Sequence, residues 1–446
     1  MTRRRRWWVG LGGALSAVLA WVLMRPTLSS GTPPAPAPAS LGGLTLVTTS
    51  AKGVKANGES TSPSLSADGS RVVFLSSATN LDAADPDHLY DVYVKDLGSG
   101  AVRLVTARQD GAKANGESTS PSLSGDGTRV AFVSTATNLD PADRDALPDV
   151  YLKDLSTGKL VLASSGSDGR KADAGSEHPA LSADGSRIAF TSRARNLDPA
   201  DQDDVADVYV KDLSTGELML ASTSSAGRKA DLDSISPALS GDGRTVVFAT
   251  AASTLDPGDR PDVFDVYAKS LETGGLTLVS AAGDGIGPQD ESREPALSAD
   301  GKVVAFTAGA IPSNSDDTAI ANVFTRDLAT GKVTLISTPR GTATGGITTA
   351  NGSSGDPAIC ANGNVVAFTT SATNLTPSAS GPEVIVKDLS SGVRTLGRGA
   401  TQGSAPAVSE DGRTVAFVSS ATNFASTDTD RLADIYVARW RDSCRQ

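Results

Sequence analysis

Apolar residues in this chain come in short runs of five or six, separated by turns rich in Asp, Gly, Ser and Thr. Arg129–Ser134 reads RVAFVS, apolar on both faces. Such a run fits a strand covered on each side. Residues 149–155 (DVYLKDL) and 159–163 (KLVLA) predict two more strands, and Leu123-Ser124 ends another before them. Asp126-Gly127 and Ser156-Thr157-Gly158 are turn sequences; Gly supplies the positive φ that a tight turn needs. No helical period shows after residue 40.

This four-strand unit recurs. Its marker is P-[SA]-hydrophobic-S-x-D-G-x-x-V-x-F, with prolines at Pro63, Pro121, Pro179, Pro237, Pro295, Pro357 and Pro406. Their spacings are 58, 58, 58, 58, 62 and 49 residues, and residues 41–446 number 406, seven times 58. A period of that length built from short strands signals a propeller or solenoid. Phe74, Phe132, Phe190, Phe248, Phe306, Phe368 and Phe417 fill one equivalent slot per unit, which predicts packing between blades. Unit seven has a third strand at 435–437 but no fourth, while residues 44–48 (LTLVT) read as an orphan fourth strand. The expectation is an all-β, seven-bladed propeller of four-stranded blades, closed by the N-terminal strand completing the last blade. Closure removes the exposed edges of an open stack.

The chain has 446 residues, with 39% hydrophobic and 20% charged, enough for a buried core. Residues 1–40 carry five arginines and no acid; the remaining 35 bases face 51 acids, a net of −16. That excludes a nucleic-acid partner, which needs a basic face. Arg3 to Arg6 precede an uncharged stretch over 7–24. Residues 1–24 thus read as a basic region with a signal anchor or a signal peptide, and 25–40 as a Pro/Ala-rich linker. The basic flank keeps the N-terminus inside, so 41–446 is expected on the periplasmic or extracellular side.

The S-x-D-G-x-x-V-x-F core followed by D-V-Y-V-K-D-L resembles the PD40, or TolB-like, propeller repeat, over essentially all of 41–446. The G-H and W-D marks of WD40 repeats are absent. Two departures stand out: no stretch reads as the N-terminal α/β domain of TolB, and the TolB propeller has six blades. What the resemblance implies is a class, an exported propeller that binds another envelope or surface protein. No hydrolase domain of the kind joined to prolyl-oligopeptidase-like propellers is read here.

Strand counting puts the Asp-Gly and Thr-Gly turns on one face, and the second-to-third and fourth-to-first loops on the other. Loops on a rigid scaffold are where binding usually resides. The second-to-third loops are acidic: Asp82, Asp85, Asp87 and Asp91 in unit one; Asp140, Asp143, Asp145 and Asp149 in unit two; Asp198, Asp201, Asp203, Asp204 and Asp207 in unit three; Asp256, Asp259, Asp262 and Asp265 in unit four; Asp428, Asp430 and Asp434 in unit seven. Closely spaced carboxylates offer the oxygens that calcium wants, although the spacing is not that of an EF-hand. The competing reading is that these aspartates cap turns and pair with Lys55, Lys113, Lys171 and Lys229, each eight residues before its unit's proline. Under either reading the acidic rim suits a partner of basic character.

Catalysis lacks parts. Only His88 and His178 are present, with no G-x-S-x-G and no P-loop. No cofactor is expected beyond the calcium option, and the chain is expected to be a monomer and not an enzyme. A calcium-stabilised secreted propeller and an envelope hydrolase or lyase remain the alternatives. Cys360 and Cys444 are the two cysteines; an exported protein could join them in a disulfide, or leave Cys360 simply buried.

Overall fold

The computed structural model describes residues 41–256, 262–281, 291–309, 320–339, 350–376, 382–389, 392–394, 396 and 403–440. The expected leader over 1–24, the linker over 25–40, and Cys444 lie outside them. Among the described residues there are 28 strands, grouped as seven four-stranded antiparallel sheets. Six sheets take four strands consecutive in sequence. The seventh runs Leu41–Leu46, Asp434–Trp440, Thr414–Ser419, Gly403–Val408, so the chain's first strand completes the last blade. Leu44 faces Ala438, Thr45 faces Val437 and Leu46 faces Tyr436. The protein is an all-β, seven-bladed propeller.

Strand bounds differ from the sequence reading mainly at the periphery. The closing strand begins three residues early, with a register shift between Leu41 and Leu44 where Gly43 has φ +112°. Val47 still donates to Ile435 O at 2.8 Å. The fourth strand of blade two covers only Leu160–Leu162, because an outermost strand has a ladder partner on one side only.

The core sits between blades. Phe74 and Tyr93 of blade one pack with Ala416, Val418, Ile435 and Val437 of blade seven, while Val73, Leu75, Val92 and Val94 face Phe132 and Tyr151 of blade two. The second strands read as solid apolar runs because both their faces are covered this way. In six blades the Phe of the second strand stacks on the ring opposite it in the third, Phe74–Tyr93, Phe132–Tyr151 and Phe190–Tyr209 among them with centroids 5.8–5.9 Å apart, while Phe368 of blade six faces Ile385. Burying each such ring contributes about 1.5–3 kcal/mol.

Two features set the axis. In every first strand the residue before the repeat's proline has φ between +47° and +54°: Ser62, Ser120, His178, Ser236, Glu294, Asp356 and Ala405. The register shifts there, as between Thr61 and Ser64. Proline has no N–H for the ladder, so a bulge is where a strand can hold it. At the turn end, a closed circuit of backbone hydrogen bonds links all seven blades: Ala67 to Gly125, Asp126 to Ala183, Ala183 to Gly241, Gly241 to Ala299, Asp300 to Ala361, Ala361 to Glu410, and Glu410 back to Ala67. The circuit is tight. A Cβ on Gly125 would lie 3.0 Å from the Ala183 Cβ and 2.8 Å from Glu410 Oε1. Small residues therefore fill the x position of S-x-D-G in six units, and Glu410 in the seventh leans across the mouth. Burial pushes its carboxyl up.

Candidate functional site

At four blade junctions the second-to-third loop lies beside the following fourth-to-first loop, and lysine joins them. Lys113 Nζ is 2.7 Å from Asp91 Oδ2, 3.0 Å from Asp87 Oδ1 and 3.6 Å from Asp85 Oδ1. Lys171 stands 2.8, 2.9 and 3.6 Å from Asp149, Asp145 and Asp143. Lys229 stands 2.7, 2.9 and 3.4 Å from Asp207, Asp203 and Asp201. Lys55 does the same across the ring closure, 2.8, 2.9 and 3.8 Å from Asp434, Asp430 and Asp428. Each lysine is presented by a small loop pinned by an isolated bridge, Thr49 with Lys55 and Ala107 with Lys113 among them.

The three carboxylates of a clasp have different duties. Asp143 is buried and accepts the Tyr151 hydroxyl at 2.6 Å; Asp201 accepts Tyr209 at 2.6 Å, and Asp85 and Asp428 accept Tyr93 and Tyr436. Asp91 accepts Thr106 Oγ1 at 2.6 Å, Asp149 accepts Ser164 Oγ at 2.8 Å and Asp207 accepts Ser222 Oγ at 2.6 Å, all fully buried. Asp87, Asp145 and Asp203 are exposed and accept both of their lysine contacts at 2.9–3.1 Å. Burial raises Asp91, Asp149 and Asp207 to about 6, against the pull of the lysine. Burial opposes the lysine charges too, but their carboxylate partners outweigh it, and Lys229 is raised to about 12. The aspartates rise mainly because they are buried, and the lysine because three carboxylates surround its ammonium, which therefore keeps its proton.

The structure thus brings together three of the four aspartates read in units one and two. Asp82, Asp140 and Asp198 stay out and cap turns, accepting the N–H of Ala84, Ala142 and Ala200 at 3.0, 2.8 and 2.8 Å. Asp204 pairs with Arg195 at 3.5 Å. In blade four Asp265 accepts Ser280 Oγ at 2.6 Å, and Asp259 lies outside the described residues. Within a clasp the carboxylate oxygens come within 4.8 Å of one another, close enough for a metal ion. The ammonium already stands at that meeting point, so a cation could enter only by displacing it.

Two sets of residues went unnoticed in the sequence. The lysine of D-V-Y-V-K-D-L turns inward toward the preceding blade's exit: Lys95 donates to Thr49 O at 2.6 Å and Lys211 to Ser165 O at 2.7 Å. Burial lowers both to about 8, in Lys211 against the charge of Asp168. Lysine fills that repeat position in five of the seven units, with Arg326 and Ala438 in the other two, and this recurrence was the available signal. The second set lines the axis. Of the seven positive-φ residues, His178, Glu294 and Asp356 are ionisable. In the same three blades the second strand carries Thr191, Thr307 and Thr369, where the others have Leu75, Val133, Ala249 and Val418. Glu294 Oε2 accepts Thr307 Oγ1 at 2.7 Å and the Asp356 N–H at 2.9 Å. Burial, then the Glu294 charge, raises the Asp356 carboxyl, and burial lowers His178 despite Glu177. His88 Nδ1 lies 3.3 Å from Ser77 O. Cys360 takes the serine's place at the turn; its Sγ donates to Asn362 Oδ1 and accepts from the Val365 N–H, each at 3.1 Å.

No family model matches the chain, and no curated protein matches it in sequence. Solved structures do. An oligogalacturonate lyase in complex with manganese is 13% identical with a TM-score of 0.55, over 91% of this chain and 95% of that one. The β-propeller domain of the trilobed protease from Pyrococcus furiosus is 13% identical with a TM-score of 0.51, over 88% and 97%. TolB from Acinetobacter baumannii is 20% identical with a TM-score of 0.41, over 71% of this chain and 62% of that chain. The fold is that of a β-propeller. At these identities the likeness is one of architecture alone, and the chain spans less than two thirds of the TolB chain. Among its described residues no helix is long and apolar enough to cross a membrane.

Proposed function

We propose that the chain is an exported propeller, held at the membrane by its N-terminal segment, that works as a monomeric binding module for another envelope or surface protein of basic character. The observation that supports this best is the stoichiometry of the clasps. Each sets three carboxylates around one ammonium, so four fixed points on one face keep an excess of negative charge. The basic and apolar leader supports the location. The test is capture of host envelope proteins on the intact chain, followed by a binding curve for the retained partner. Binding should weaken as salt rises from about 0.05 to 0.5 M, since screening shortens the reach of exposed charge. It should fall further in Asp87→Asn/Asp145→Asn/Asp203→Asn. Failure to retain any partner, with turnover of an envelope glycan or peptide instead, would overturn it.

A second reading, an envelope lyase, draws support from the axial trio and from the likeness to a lyase of similar length. His178 and Asp356 are groups that could move protons. Incubation of wild type and of His178→Ala with uronate oligomers tests it; absence of unsaturated products removes it.

A further inference from the structure

Repeats permit a control inside one chain: what the fold requires recurs in all blades, and what occurs once is not required by it. A groove of about 370 Å³ lies on the turn face between blades one and two, lined by Arg71, Asp96, Arg103, Thr128, Leu155 and their neighbours. Arg71 opens the second strand of blade one and Arg103 sits in its fourth. By register, the other blades place Arg129 and Val161, Arg187 and Met219, Thr245 and Thr277, Val303 and Thr334, Val365 and Arg394, and Thr414 and Thr45 at these two positions. Two arginines meet in blade one alone.

Both guanidiniums are held from behind. Arg71 Nη1 donates to Gly127 O at 2.6 Å, and Arg103 Nη2 donates to Leu155 O at 3.1 Å. Each is fixed across the blade boundary by one bond and keeps other N–H groups. The facing carboxylate, Asp96, is 3.8 Å from Arg71 Nε, and its Oδ1 accepts the Ser99 N–H and hydroxyl at 2.8 Å. Among the described residues Arg103 meets no carboxylate partner. Its charge is felt by Lys153, which burial and then Arg103 push down. In a chain of net charge −11 this corner is electropositive and underneutralised.

We propose that this groove is a binding site for an oxyanion, a carboxylate or a phosphate, borne by a small ligand and gripped by Arg71 and Arg103. Pre-positioned guanidinium forks suit planar oxyanions. Leu155 supplies an apolar wall for the rest of the ligand.

The test is titration of the whole chain with inorganic phosphate, with galacturonate and with neutral galactose, at low ionic strength, followed by NMR or calorimetry. One or both anions should bind, and galactose should not. Phosphate alone points to a phosphorylated ligand, galacturonate to a carboxylate. Arg103→Thr and Arg71→Thr install the residue that other blades carry, so each should melt with the wild type while binding at least about tenfold more weakly. No binding of either anion to wild type, or equal binding to Arg103→Thr, overturns the proposal.

Discussion

Among the described residues the clasps gather on one side of the ring. Lysine sits among three aspartates at the junctions of blades seven and one, one and two, two and three, and three and four. At the next three junctions the residue eight before the proline is Gly287, Thr349 or Arg398. The partners change with it. Blade five starts its third strand with Asn322, which accepts Ser337 Oγ at 2.8 Å, and blade six with Glu383. Phe324 and Ile385 replace the tyrosine that elsewhere donates to a clasp aspartate. Blade four is intermediate, keeping Asp265 and Tyr267. A buried hydroxyl without an acceptor and a buried carboxylate without a cation are both costly, and in blades five and six the tyrosine and the strand-opening aspartate have gone together with the lysine. The Phe slot persists in all seven blades. Packing builds the propeller, and the clasps are added to it.

Removing an ammonium should hurt most. Lys113→Ala strands two buried carboxylates and should cost about 3–5 kcal/mol in urea unfolding. Lys302→Ala removes a pair of 3.4 Å on the exposed surface of blade five and should cost about 0–1 kcal/mol. Equal losses would erase the distinction between the two sides. Next come the hydroxyls. Tyr151→Phe deletes a bond to a charged acceptor and should cost about 1.5–3 kcal/mol.

The pH profile sharpens the same contrast. Asp91, Asp149 and Asp207, raised to about 6, bind more protons folded than unfolded between about 4 and 6. Their contribution therefore grows as pH falls through that window. Asp154 and Asp212 are lowered to about 2, mainly by hydrogen bonds from Ser156 and Ser214. Their stabilisation is complete above the ordinary carboxylate range and lost as pH falls toward 2. Melting temperature should hold or rise slightly from pH 6 to 4 and drop below 4; a steady fall beginning at pH 6 would contradict the clasp electrostatics. The smallest effect is expected from chelation. A bound native-state cation would raise stability, but with lysine at each meeting point EDTA should leave the melting temperature unchanged, and a downward shift would favour the calcium reading.

Much of this was readable in the chain. The Phe spacing gave the blade interfaces, Asp-Gly the turns, and 44–48 the closing strand, because each is a local pattern repeated in register. Lys113 and its equivalents could be matched to aspartates once the loops were put on one face. Which aspartates converge could not, since Asp82 and Asp85 look alike in sequence and differ only in where the turn aims them. The inward Lys95, the turn-end circuit through Gly125 and the axial Glu294 stayed hidden for a related reason. A period identifies equivalent residues, but not neighbours across two blades.

The closing strand has a consequence for biogenesis. Thr48 reaches Asp434, 386 residues later, with a 2.5 Å hydrogen bond, and Lys55 spans a similar separation. Chain emerging from a ribosome thus carries Leu41–Leu46 unpaired until Asp434–Trp440 has been made. Every shorter nascent form exposes a raw sheet edge at each end, open to pairing with a neighbour. Truncation near the C-terminus should therefore yield aggregates instead of a six-bladed remnant, and holding the nascent chain apart from its copies becomes part of making the protein.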